Sequence, residues 1–177
     1  MKKLLYAVFA LSLVACGEKS QDVPANQLVR NDFDALDGWM GNNPVPSLTR
    51  EQAHSGRYSI KVGPESEYSI GFNSLLGRLS PTRIKKIKIS GWAYSPALPA
   101  NGIVVTELKD LTTGKQLLWQ GLELSKEVKE KGKWIEIEKV IELPADAASA
   151  TNLSVYLWRG SGQQTVYLDD LTITSEE

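Results

Sequence analysis

From Tyr58 onward, apolar and polar residues alternate with a period of two in short runs, separated by Gly, Pro, Asn and Ser. Tyr58, Ile60 and Val62 alternate with Ser59 and Lys61, Ile87 and Ile89 with Lys88 and Ser90, and Leu153, Val155 and Leu157 with Ser154 and Tyr156. Successive side chains of a strand point to opposite faces, so each run predicts a strand that buries one face. Further strands are expected over 67–72, 103–109, 134–143 and 166–174. Residues 108–119 read as a hairpin around Thr112-Thr113-Gly114-Lys115, where the Gly can take the positive φ of a tight turn. Only 124–131 offers a helical turn, and its charges favour an exposed loop. Roughly eight to ten strands without a fixed-period repeat predict one all-β domain, a two-sheet β-sandwich.

The N-terminus has a different character. Met1, Lys2 and Lys3 are followed by an apolar run from Leu4 to Val14 and by Ala15 before Cys16. A permanent span needs about 20 residues, so the run is a secretory signal that is removed. Leu13-Val14-Ala15-Cys16 resembles a bacterial lipobox, in which the Cys16 thiol receives a diacylglyceryl group and the new amine is acylated. The expected organisation is a signal peptide over 1–15, a polar tether over 16–28 carrying lipidated Cys16, and the sandwich over 29–177. Gly17, where an Asp would favour inner-membrane retention, points to the outer membrane and leaves the leaflet open.

Charge and composition exclude several functions. With 20 Lys+Arg against 21 Asp+Glu and a pI near 5.9, no basic excess exists to neutralise phosphates, which argues against nucleic acid. One Cys and one His are too few for an internal disulfide, and too few ligands for a Cys/His zinc site. A serine triad would have to use His54, which lies in a Ser-Gly turn, and no acid sits in a segment that reads as a cleft. The chain is therefore read as a non-enzyme.

The aromatic residues suggest a binding surface. If Ile87 and Ile89 are buried, parity turns Lys88, Ser90, Trp92 and Tyr94 outward; the same rule leaves Tyr156 and Trp158 outside. A sugar ring has an apolar C–H face and a polar rim, so exposed rings supply stacking while Lys88, Gln120 and Arg159 bond hydroxyls. The alternative is that the N-terminal segment or the loop 96–102 covers these rings. Trp39 and Trp134 are assigned to the core or its rim, and Trp119 is undecided by parity because Leu117 and Leu118 can each face inward. Asp169 and Asp170 are adjacent in a strand, so one of them faces the interior and needs compensation.

The order Asn31-Asp32-Phe33-Asp34, Asp37-Gly38-Trp39, His54-Ser55-Gly56-Arg57-Tyr58, Ser90-Gly91-Trp92-Ala93-Tyr94, Trp134 and Tyr167-Leu168-Asp169-Asp170-Leu171 resembles carbohydrate-binding modules of the CenC type over about 30–174. The resemblance is to the stand-alone lipoprotein form of Bacteroidetes-like bacteria. It implies a galactose-binding-domain-like jelly roll, a non-catalytic role with an oligo- or polysaccharide as partner, and a structural calcium at Asp34 with Asp169 or Asp170. The competing reading is an envelope assembly lipoprotein that uses the same face to hold a protein partner.

Overall fold

The structure of the protein, a computed structural model, describes residues 23–36 and 45–177. The signal peptide, Cys16, the first part of the tether and Trp39 lie outside the described residues. The strands are β1 (Gln27–Asn31), β2 (Leu48–Thr49), β3 (Ser59–Val62), β4 (Phe72–Leu75), β5 (Lys86–Tyr94), β6 (Ile103–Asp110), β7 (Gln116–Glu123), β8 (Trp134–Glu142), β9 (Thr151–Trp158) and β10 (Val166–Glu176). Single helical turns, α1 (Leu76–Leu79) and α2 (Leu124–Glu127), interrupt them.

Two antiparallel sheets form a β-sandwich of the jelly-roll type. One has the order β2-β3-β10-β5-β8, with β1 also on β10; the other has the order β4-β9-β6-β7. The period-two pattern explains the layering. Along β5, Ile87, Ile89, Gly91 and Ala93 are buried while Lys88, Ser90, Trp92 and Tyr94 are half-buried on the reverse face. Leu153, Val155 and Leu157 of β9 are fully buried from the facing sheet. These side chains, with Ile60, Val62, Val104, Leu108, Leu168 and Ile173, form one core without disulfides.

β10 organises the larger sheet. Its first part, Val166 to Leu168, pairs with β3, and Leu171 to Thr174 pairs with β1 along the same edge. Between them the register to β5 jumps from Asp169↔Trp92 to Thr172↔Ser90, which leaves Asp170 and Leu171 as a bulge, with Asp170 at φ 50°.

Three local expectations are corrected. β1 begins at Gln27, so the sandwich reaches into the segment expected to be tether. Residues 67–71 are not strand: the Ser69 hydroxyl replaces a backbone acceptor for Leu157 N–H at 3.0 Å, and only Tyr68 bridges Trp158. The 124–131 segment is anchored, because Leu124 and Val128, one turn apart, are both buried and α2 closes with Val128 N–H to Leu124 O. No helix among the described residues is long and apolar enough to cross a membrane.

Candidate functional site

Cross-strand register decides which side chains share a face. On the outer side of the four-stranded sheet, Trp158 lies opposite Ile103 and Ile103 opposite Glu123; Tyr156 lies opposite Val105 and Val105 opposite Gly121; Ser154 lies opposite Glu107 and Glu107 opposite Trp119. Tyr68 joins this face through its bridge to Trp158. Four aromatic rings therefore meet on one surface. Tyr68 and Trp158 are parallel within 6° with centroids 6.2 Å apart, Tyr68 meets Tyr156 edge-on at 6.0 Å, and Trp119 stands at 83° to Trp158 at 6.3 Å.

The face is both supported and open. Val105 is fully buried although it points outward beside Tyr156, so it forms the floor beneath the rings. Gly121 leaves room for the Trp119 indole: a Cβ there would lie 3.3 Å from the ring and 2.7 Å from Ile103 Cγ2. Tyr68 and Trp119 remain 52% and 43% exposed, which is unusual for such large rings. The polar rim comes from Glu67, which accepts from Trp158 Nε1 at 3.3 Å, from Glu107, and from Asn152, Ser154 and Asn73, linked by hydrogen bonds of 2.9 and 2.7 Å. Partial burial raises the Tyr156 pKa, and the neighbouring Glu107 charge adds to it, so the phenol stays a neutral donor.

The residues expected to form the site do not all come together. Tyr156 and Trp158 belong to this face, but Trp92, Tyr94 and Lys88 lie on the outer side of the other sheet. There they are largely engaged. His54 stacks on Trp92 at 3.9 Å and 10°, Tyr94 packs against Trp134 and Tyr167 at 5.4 and 5.7 Å, and Lys88 approaches Glu138 at 3.8 Å. Among the described residues, the cover over Trp92 is the 50–57 loop, through His54. Gln120 pairs with buried Thr106 and so points to the inner side. Arg159 reaches toward the Gly63 carbonyl at the end of β3, 3.4 Å away. Tyr68 and Trp119 are the members that sequence reasoning missed or left open.

The acidic residues form a second cluster under the 50–57 loop. The bulge breaks the alternation, so Asp169 and Asp170 both serve this loop instead of facing opposite ways. Asp169 is fully buried; its Oδ2 accepts from His54 N–H at 2.7 Å and Ser55 N–H at 3.2 Å, and its Oδ1 accepts from its neighbour's N–H at 2.7 Å. Asp170 bonds His54 Nδ1 and the Ser55 hydroxyl, each at 2.7 Å. Asp34 accepts from Arg57 N–H at 2.9 Å across Gly56, where any Cβ would collide with the carboxylate. Burial pushes the Asp169 pKa up to about 6, with the Asp170 charge adding to it and the three N–H donors opposing it.

The donor set does not fit the calcium that the resemblance implies. Each carboxylate already faces N–H or O–H donors, and the described residues hold no group of three His, Cys, Asp or Glu side chains able to bind a metal. The burial of Asp169 is compensated by backbone donors instead.

At the level of sequence no known protein family matches the chain, and no curated protein does. Solved structures do match in fold. The CBM22-2 xylan-binding domain of Paenibacillus barcinonensis Xyn10C superposes with a TM-score of 0.51 at 22% identity, covering 84% of this chain and 99% of that one. The C-terminal family 22 carbohydrate-binding module of Clostridium thermocellum Xyn10B gives 0.54 at 13% identity, covering 85% and 93%. The chain is thus similar to such modules in architecture: an all-β, two-sheet jelly roll.

Proposed function

We propose that the protein is a non-catalytic glycan-binding protein whose binding face is the outer side of the β4-β9-β6-β7 sheet. The observation that carries this reading is the cluster of exposed Tyr68 and Trp119 with half-buried Tyr156 and Trp158, mutually packed and rimmed by hydrogen-bonding side chains. The 83° between Trp119 and Trp158 is ill-suited to a flat crystalline surface, which needs coplanar rings; it suits one chain whose successive sugars turn. The names of the structural neighbours make xylan the first polysaccharide to try.

The protein is further read as a lipoprotein, held at the outer membrane by acyl chains on Cys16. Labelled palmitate should enter the parent chain and not a Cys16→Ser variant.

The deciding experiment is an NMR titration of the full-length protein with xylo-oligosaccharides and a wide glycan panel at millimolar concentration. A disaccharide of about 23 heavy atoms at about 0.3 kcal/mol per atom reaches only about 10 μM, so weak binding is expected. Trp158→Ala and Tyr156→Ala should each weaken binding more than tenfold, whereas Trp92→Ala should leave it within about twofold. Absence of binding across the panel overturns the reading and directs the search to a protein partner.

A further inference from the structure

Two carboxylates stand against the rings of the aromatic face, and Lys109 stands at its far edge. Glu67 accepts from the Trp158 indole N–H, and Glu107 sits between Ser154 and Trp119 close enough to act on the Tyr156 hydroxyl. Neither carboxylate takes part in an ion pair among the described residues. Glu123, opposite Ile103, differs, being neutralised by Lys126 at 2.9 Å. No cation makes direct contact with the other two among the described residues. Arg159 is turned to the Gly63 carbonyl, and Lys109 stands one outward position beyond Glu107, between Asn152 and Gln116.

A glycan stacked on these rings would bring its substituents next to Glu67 and Glu107. Hydroxyl groups gain from this, because a carboxylate is a strong acceptor for O–H donors. A sugar carboxylate brings a like charge into a partly dehydrated contact and offers no donor to Glu67 or Glu107. A cationic amino group gains by the same field.

Resting on the glycan-binding reading above, we propose that Glu67 and Glu107 make this face a charge filter, which accepts neutral and amino-sugar chains and rejects uronic-acid chains. Two carboxylates within a Debye length of the ligand should produce about a tenfold discrimination at low salt, and added salt should reduce it.

The test measures dissociation constants of the full-length protein for three probes of equal length: a neutral xylo-oligosaccharide, an oligogalacturonide and a glucosamine oligomer. Each is measured at low and at high salt, for the parent and for Glu67→Gln and Glu107→Gln, singly and combined. The filter predicts the order glucosamine oligomer, neutral, galacturonide from tight to weak. It also predicts a spread between the three probes that shrinks with salt and in the double variant, even where the neutral probe loses affinity with the two acceptors. An unchanged NMR spectrum and melting temperature show that the variants remain folded. Galacturonide bound as tightly as the neutral probe, or a discrimination that survives both substitutions, overturns the filter alone. If none of the three probes nor any other glycan binds, the glycan reading itself falls and the filter with it.

Discussion

Gly121 shows how one missing methyl group shapes the face. Its hydrogen lets the Trp119 indole fold back along β7 over the strand, and a Cβ would press on Ile103 Cγ2 at 2.7 Å as well as on the ring. Gly121→Ala should therefore displace Trp119 and weaken glycan binding about fivefold or more, at a cost of about 1–3 kcal/mol in stability from overpacking. Titration and thermal melting of the same sample check both. Asp169 makes a pH prediction. Its carboxyl holds a proton more tightly folded, with a pKa of about 6, than unfolded, near 3.8. Its charge therefore costs stability fully above the folded value, and the cost is relieved as pH falls through 6 toward 4. His54 and Asp170 are the titratable groups that face it. The melting temperature should rise by several degrees from pH 7.5 to 5, and Asp169→Asn should flatten that rise. Residue types and parity made half of the site legible: Tyr156 and Trp158 alternate cleanly with buried neighbours. Trp119 was not decidable, because Leu117 and Leu118 satisfy either parity and only the pairing of Glu107 with Trp119 resolves it.

At the scale of elements, β10 and the 50–57 loop act as one unit. The bulge after Asp169 turns two acidic side chains to one loop, and that loop lays His54 on Trp92. His54→Ala would remove the stacked ring and the bond to Asp170. It should lower stability by about 1–2 kcal/mol and shift tryptophan emission to the red while leaving glycan affinity unchanged, because the loop covers the sheet opposite the proposed binding face. The same unit makes a metal unnecessary: melting curves with calcium and with a chelator should coincide, and a calcium-dependent shift would refute the backbone-donor account. Strand existence could be read from period-two runs, whereas a bulge leaves no period to read. Strict alternation through Asp169 and Asp170 sends one of them inward, and alternation of Tyr68 with Ile70 and Phe72 hides Tyr68, which the irregular 67–71 segment in fact exposes.

For the whole molecule, the division into two sheets separates tasks that the sequence placed together. Trp92 and Tyr94 share the outward parity of Tyr156 and Trp158, but outward means opposite sides once β5 and β9 lie in different sheets. Sheet membership depends on pairings distant in the chain, which a local pattern does not encode. One sheet binds in this account, and the other sheet receives the chain from the N-terminus. β1 enters on the edge of β10, with Arg30 opposite Thr172 and Asn31 opposite Leu171. A pulling force between a membrane anchor and a captured polysaccharide would therefore enter the fold at Gln27, on a five-residue strand, and leave through the opposite layer. β1 would peel before the ladders of β9 and β6 felt the load, so under the proposed anchoring β1 would be a mechanical fuse that yields first and spares the grip.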